Sequence, residues 1–359
     1  MDFTILKEQF ENKKVFVTGH TGFKGSWLLL ILKKLGAQVV GYSLAPENKE
    51  DLFNQIDGAQ YCEKSIIANI LDAEQLKKEI NAFQPDYIFH LAAQALVRKS
   101  YDNPIETYMV NTIGTANVLE AMRTLPNACV GIMVTTDKVY ENPERGTAFV
   151  ESDKLGGYDP YSASKATCEI VIDSYRNSFF NLQDFNVHKK SIASVRAGNV
   201  IGGGDFSKDR IIPDIVRSIQ NNTAISLRNP NATRPWQHVL EPLGAYLLLA
   251  AHMRQHPEAY NEAFNFGPAV DDVLTVKEVT EIFLTAFGTQ HHEIAIDLSK
   301  QVHEAKLLML NSEKAKLKIS WTPKWKALDA IQQTAWWYVN DKKVAHLRCA
   351  EQISNYFNL

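Results

Sequence analysis

Cysteine is scarce in this chain and scattered. The four residues, Cys62, Cys129, Cys168 and Cys349, have neither the density of a disulfide framework nor the spacing of metal ligands. That excludes a disulfide-stapled secreted domain and a zinc-finger module, and it suits reduced thiols in the cytoplasm. The early apolar run Trp27 to Leu32 stops at Lys33-Lys34, far short of the ~20 residues that span a bilayer. The N-terminus, Met-Asp-Phe-Thr, has no basic stretch followed by an apolar core, so no signal peptide is expected. An excess of one charge is missing too. The net charge is −3 with both signs interspersed, against the basic surplus of a nucleic-acid binder. His291-His292 has no companion ligands at zinc spacing, so the pair is expected to be exposed and no metal is expected. Internal repeats and low-complexity linkers are absent.

What remains is an ordinary apolar content over 359 residues, enough for a large core and probable division into two domains. Lys13 to Thr18 reads as a buried strand. It enters the turn Gly19-His20-Thr21-Gly22-Phe23-Lys24-Gly25, and an apolar helix from Trp27 to Leu35 and a strand at Val39 to Ser43 follow. This is the strand, glycine turn, helix, strand context of a dinucleotide fingerprint. Gly19 permits the tight turn, Gly22 the approach of a pyrophosphate, and Gly25 close packing of helix on sheet, while the helix N-terminus offers free amides and partial positive charge. No carboxylate stands at the tip of the second strand, Gly41-Tyr42-Ser43-Leu44, and no arginine stands there for a 2′-phosphate. NAD is therefore a preference over NADP. Asp72 could reach the adenine end of the cofactor, or cap the helix beginning near Ala73.

Further strands are expected at Pro85 to Leu91, closed by Ala92-Ala93-Gln94, at Val130 to Val134, and at Ser191 to Ala197. One helix is expected from about Ile105 to Met122, with Asn111 in a packing or hydrogen-bonding role. The Val130 run ends in Thr135-Thr136-Asp137-Lys138-Val139-Tyr140, a polar cluster where ligands of a parallel sheet bind. After a loop from Glu141 to Asp159, Tyr161-Ser162-Ala163-Ser164-Lys165 opens a helix running through Tyr175. Tyr161 and Lys165 share one helix face. An ammonium beside a phenol favours the phenolate, which could take a proton from an alcohol. Gly198 to Asp205 is too glycine-rich for regular structure. Among the arginines beyond it, Arg210 and Arg234 are expected at a phosphate-bearing ligand and Arg217 in solvent. The tryptophans at 321, 325, 336 and 337 are expected in the core.

Together these pieces resemble the extended short-chain dehydrogenase/reductase superfamily over nearly the whole chain. The stretches VTGHTGFKGSWL, FHLAAQALVRKSY, TTDKVYEN, DPYSASKA, RAGNVIGGGDF and RPWQHVLEPL resemble the CDP-glucose 4,6-dehydratases within it. Val139 and Asn69 depart from the pattern where a small or thiol residue and an acidic residue stand in relatives.

The resemblance implies a Rossmann-type α/β fold with a doubly wound parallel sheet and a smaller substrate domain. The dinucleotide domain would be residues 1–197 plus about 236–266, and the substrate domain 198–235 plus 267–359. It implies redox-neutral dehydration of CDP-glucose with NAD as cofactor, in a cytoplasmic homodimer or homotetramer. Catalytic residues would be Thr136, Asp137, Lys138, Tyr161 and Lys165. The cofactor would lie on Gly19, Thr21, Gly22, Phe23, Lys24, Gly25, Asp72, Leu91, Ala92 and Ala93 as well as Tyr161 and Lys165, and the substrate on Gln94, Asn199, Arg210 and Arg234. Lys138 takes the place of a glutamate in dTDP-glucose dehydratases and must lose its proton to act as base. Asp137 must carry one to act as acid. A UDP-N-acetylglucosamine 4,6-dehydratase and a nucleotide-sugar epimerase are rival readings on the same fold, and a non-catalytic dinucleotide sensor is a rival of another class.

Overall fold

The computed structural model describes residues 2–144, 146–297 and 307–359; positions 298–306 of the expected substrate domain lie outside the described residues. Seven strands form one sheet: β1 (Lys14–Thr18), β2 (Gln38–Ser43), β3 (Lys64–Ile67), β4 (Tyr87–His90), β5 (Cys129–Val134), β6 (Lys190–Ala197) and β7 (Ala263–Phe266). Their order is β7-β6-β5-β4-β1-β2-β3, and every neighbouring pair is parallel. Every residue of β4, β5 and β6 is buried. Continuous apolar runs produce such strands because helices cover both faces of a parallel sheet. Val15 and Val17 join the cluster on one face, and Phe16 joins the cluster on the other.

Helices α1 (Phe23–Lys34), α2 (Ala73–Phe83), α3 (Gly114–Arg123), α4 (Pro160–Ser178) and α5 (Leu240–Gln255) complete the layers. Apolar residues of α1 and α5 pack on the Val15 side, and those of α2, α3 and α4 on the Phe16 side. Strand order reverses between β1 and β4, which opens a crevice at the carboxyl ends of the strands, where open α/β sheets bind ligands.

The helix expected across 105–122 is interrupted. A short helix, Pro104–Tyr108, passes into a π turn at Met109–Ile113 before α3. Asn111, buried at the centre of that turn, accepts from the Gln94 amide at 2.8 Å and donates to Ser164 Oγ at 2.8 Å and to the Gln94 carbonyl at 3.1 Å. A π turn is a frequent way of turning one side chain toward a site.

The glycine-rich loop after β6, expected to lack regular structure, contains a short strand. Val200–Ile201 pairs in parallel with Gln237–His238, because both residues bury their side chains in the core. Thr233–Arg234 pairs with Leu274–Thr275, and Ile225–Leu227 with Ile294–Ile296. Two C-terminal helices follow: α6 (Ala327–Val339) packs on the helix Val276–Phe287, and α7 (Ala345–Phe357) packs on α1. Of the four tryptophans expected in the core, Trp321 and Trp337 are buried there, and Trp325 and Trp336 are half-buried against it. Among the described residues no helix is long and apolar enough to cross a membrane.

Candidate active site

A cavity of about 800 Å³ runs along the carboxyl ends of the strands. Its first wall is the turn between β1 and α1. Gly19 takes a positive φ of 74°, and a Cβ there would lie 2.7 Å from the Ala92 amide nitrogen. A Cβ on Gly25 would lie 2.1 Å from the Gly19 carbonyl oxygen. Both positions therefore demand glycine for the fold itself. Gly22 is different: a Cβ there meets only the Gly19 oxygen at 3.4 Å, an ordinary contact. Gly22 also starts α1 with no side chain capping the first amides, which are free to meet an anion. The space above Gly22 thus fits a pyrophosphate, and the donor set is that of a dinucleotide site. Thr21 donates to the Leu44 carbonyl at 2.8 Å, tying the turn to the tip of β2. Phe23, Leu91, Ala92 and Ala93 extend the wall, joined by Leu44 to Glu47 and Asn69 to Leu71.

Lys24, half-buried in this wall, lies close to the charges deeper in. Burial pushes its amine down to about 7, aided by Arg210, Lys165 and Lys138 and opposed by Asp137. Lys24, Lys138, Lys165 and Arg210 thus gather around the inner part of the cavity, a grouping suited to an anionic ligand.

The tip of β5 forms the floor. Thr136 starts a tight turn over Asp137–Val139, its hydroxyl accepting from the Lys138 amide at 3.4 Å and donating to Asp137 Oδ1 at 2.9 Å. Lys138 Nζ lies 3.4 Å from the same oxygen. Asp137 is 1% exposed, and its Oδ2 has no hydrogen-bond partner among the described residues. An amine and a carboxyl in contact can exchange one proton without changing their net charge, the property an elimination needs of its base and acid.

Tyr161 and Lys165 project from the first turns of α4. Asp159 caps this helix, accepting from the Ser162 amide at 2.9 Å, and Pro160 takes the first helical position. Burial pushes the Tyr161 phenol up to about 12; the neighbouring Thr136 hydroxyl and the charge of Arg210 act the other way, while Asp137 and Asp159 add to the rise. The expected pairing of the Lys165 ammonium with the phenol is not what the structure shows. Lys165 Nζ donates instead to the Val134 carbonyl at 3.0 Å, because the last residue of β5 presents an open acceptor beside it. Burial lowers the lysine, with Cys168 and Glu169 opposing.

Asn199, Arg210 and Arg234 line the remaining wall together with Arg98, Arg228 and Trp236. Asn199 Oδ1 is buried with no partner. Two expected residues fall outside this wall. Asp72 caps α2, accepting from the Gln75 amide at 3.0 Å, and Asn69 to Leu71 face the cavity in its stead. Gln94 spends both ends of its amide within the protein, accepting from the Leu96 amide at 2.7 Å and donating to Thr107 Oγ at 3.0 Å. Arg217 is bound rather than solvated: it donates to the carbonyls of Phe206 and Ser207 at 3.1 Å each. Of the pair expected to be exposed, His291 is, but His292 is half-buried with Nε2 2.7 Å from the Thr223 carbonyl oxygen.

Sequence reading missed the buried Glu169, which accepts from Thr135, Ser194 and Arg196 behind the floor. Its one signal was its position four residues past Lys165 on the same helix face.

A Rossmann cradle, a tyrosine and lysine four apart, and a polar tip on the adjacent strand define the extended short-chain dehydrogenase/reductase class. Within it, the chain belongs to the GDP-mannose 4,6 dehydratase family, which it matches over residues 16–334. It is 43% identical to CDP-glucose 4,6-dehydratase of Salmonella typhimurium over 93% of its own length and 92% of that protein's. Its fold is similar to that of dTDP-glucose 4,6-dehydratase DesIV from Streptomyces venezuelae, solved with NAD and TYD bound (TM-score 0.77, 21% identity, 92% of this chain and 98% of that one). It is equally similar to UDP-glucose 4-epimerase of Thermotoga maritima, solved with UDP-glucose (TM-score 0.77, 20% identity, 92% and 100%).

Proposed function

We propose that this protein is a nucleotide-sugar 4,6-dehydratase that converts CDP-glucose into CDP-4-keto-6-deoxyglucose and water. The observation that carries the reading is the joining of three groups in one cavity: the glycine cradle, Tyr161 with Thr136, and the Asp137–Lys138 pair. An epimerase needs the first two. The contacting acid and base serve the loss of water. The 43% identity to the Salmonella dehydratase supports CDP-glucose as substrate.

The cradle of Gly19, Gly22, Gly25 and the first amides of α1 would hold NAD, with Ala92 and Ala93 beneath it. When bound, NAD would supply reversible hydride transfer, away from carbon 4 of the sugar and back at carbon 6. Tyr161 would take the proton of the carbon 4 hydroxyl, and Thr136, its hydroxyl turned from Asp137 toward Tyr161, would steady the phenolate. The ketone so formed acidifies the proton on carbon 5, which Lys138, in its neutral form, removes and returns to carbon 5 when carbon 6 receives its hydride. Asp137, in its protonated form, gives its proton to the hydroxyl leaving carbon 6. The neutral amine and neutral carboxyl are one proton transfer away from the ion pair. Arg210, Arg234 and Asn199 would hold the diphosphate and sugar. Exposed apolar residues on the helices flanking the site, Ile105, Met109, Ile113, Ile170 and Phe179, support a homodimer formed through these faces.

The test is incubation with CDP-glucose, followed by the alkali-sensitive absorbance of a 4-keto sugar, beside a parallel assay with UDP-N-acetylglucosamine. Product from CDP-glucose alone is expected. Turnover of the UDP sugar alone would replace the proposed substrate, and turnover of neither would remove the reading.

A further inference from the structure

Two pieces of backbone must keep register for this chemistry. One is the tip of β5, carrying Thr136, Asp137 and Lys138. The other is the start of α4, carrying Tyr161 and Lys165. They come from different parts of the chain, and the sugar would lie between them. We propose that Glu169 is the positioning residue that locks the two together. This inference rests on the dehydratase reading for its catalytic consequences and on the structure alone for the lock.

Glu169 lies eight residues past Tyr161 and four past Lys165, on the same face of α4. It is 4% exposed. One carboxylate oxygen accepts from Thr135 Oγ at 2.5 Å. The other accepts from Ser194 Oγ at 2.7 Å and from Arg196 Nη2 at 2.8 Å. Thr135 is the residue next to Thr136, and Ser194 and Arg196 lie on β6. A single carboxylate thus joins α4, the β5 tip and β6.

Arg196 is held in turn. Its Nη1 donates to Tyr140 Oη at 2.7 Å and to the Glu151 carbonyl at 3.0 Å, and Tyr140 donates to Asn265 Oδ1 at 2.7 Å on β7. Tyr140 ends the stretch that begins at Thr135, so the whole segment 135–140 is pinned at both ends to one buried network. Burial alone would push the Glu169 carboxyl up, but the Arg196 charge and the three donors outweigh it and hold the carboxyl low. The carboxyl is therefore favoured in its charged form. An anion among charge-assisted donors makes a stiffer joint than apolar contacts of the same area.

The predicted consequence is specific. Loosening the joint leaves hydride transfer at Tyr161 more intact than the later steps at Asp137 and Lys138, because the strand tip moves and the helix does not. Thr135→Val tests this without disturbing the Glu169–Arg196 pair, and it keeps the shape of the side chain. With CDP-glucose, kcat is expected to fall by about tenfold to a hundredfold, the cost of a misplacement of roughly 1 Å. KM should stay within about twofold, and absorbance near 340 nm should build up during turnover as the reduced cofactor waits for elimination.

Hydrogen–deuterium exchange reads the lock independently of any substrate: amides 135–139 should exchange at least about tenfold faster in Thr135→Val. Glu169→Gln, which keeps the shape and removes the charge, should give the same pattern more strongly if it folds. Unchanged exchange in Thr135→Val would overturn the lock whatever the substrate. Faster exchange with wild-type kcat and no 340 nm signal would overturn its catalytic role. A wild-type protein that makes no 4-keto product would instead remove the function reading while leaving the exchange result to judge the lock.

Discussion

Two glutamates are buried in this protein to nearly the same degree, and burial has opposite outcomes for them. Glu169, behind the candidate active site, is held in its charged form by Arg196, Thr135 and Ser194. Glu241, on α5, anchors the C-terminal helices: it accepts from the amides of Lys324 and Trp325 at 3.0 and 2.7 Å and from Tyr356 Oη at 2.9 Å. Among the described residues no cation is ion-paired with it, and burial pushes its carboxyl up to about 7 despite those donors and the charge of Lys324 nearby. Neutral donors satisfy a carboxylate's lone pairs but do not repay its desolvation, whereas a guanidinium does both. The region around the β5 tip is therefore braced by a carboxylate held in its charged form by a paired arginine. The C-terminal region is built on apolar packing and one carboxyl that titrates near neutrality.

The comparison makes a separation testable: changes at the β5 tip should alter turnover and spare stability, and changes at Glu241 should do the reverse. The largest effect is expected from Tyr161→Phe. Loss of the phenol should lower turnover of CDP-glucose by about 10³-fold or more, with the melting temperature little changed. Substantial residual hydride transfer in a single-turnover absorbance measurement would take Tyr161 out of its role. Lys138→Met comes next. It should abolish solvent exchange of the carbon 5 proton while sparing the fold and cofactor binding, and normal exchange by NMR would sink the base assignment.

Gly22→Ala should leave the unfolding free energy of the free protein within about 0.5 kcal/mol of wild type, as for surface substitutions. It should weaken NAD binding in a fluorescence titration, because the added methyl occupies only the space above the cradle. Unchanged affinity would place the pyrophosphate elsewhere.

The smallest effect on turnover comes with a pH dependence of stability. Glu241 titrates near 7 in the fold against an ordinary value of 4.5. Folding thus binds protons more tightly here, so the stabilisation is complete below pH 4.5 and is lost as pH rises through about 7. Glu241→Gln lacks this loss. Relative to wild type it should gain on the order of 3 kcal/mol between pH 4 and pH 8 in denaturant melts, at constant kcat. A difference between the two proteins that does not change with pH would show that the carboxyl is not protonated in the fold.

Much of the fold could be read ahead of the structure. The buried strands announced themselves as apolar runs, and the glycine turn, the tyrosine–lysine pair and the polar strand tip all line one cavity. The differences share a cause. Of the two roles open to Asp72 the structure shows the helix cap, and the amide of Gln94, expected at the substrate from the resemblance, is bonded to Leu96 and Thr107. Asn111 has the hydrogen-bonding role expected of it, but in a π turn rather than a continuous helix, with partners 17 and 53 residues away. Lys165 turned to the Val134 carbonyl, an acceptor that lies 31 residues from it in sequence.

What the sequence determined by itself is the local chemistry. Gly19 and Gly25 permit a turn that no other residue allows, four-residue spacing puts Tyr161 and Lys165 on one helix face, and an apolar run ending in Thr-Asp-Lys delivers polar groups to the end of a strand. These depend on steric and periodic rules that act over a few residues. Only the tertiary structure decided which buried charges are kept and which are neutralised. Glu169 and Glu241 are the same residue, and both sit on helices. What separates them is whether folding brings an arginine from β6 or an amide from the C-terminal segment to their oxygens.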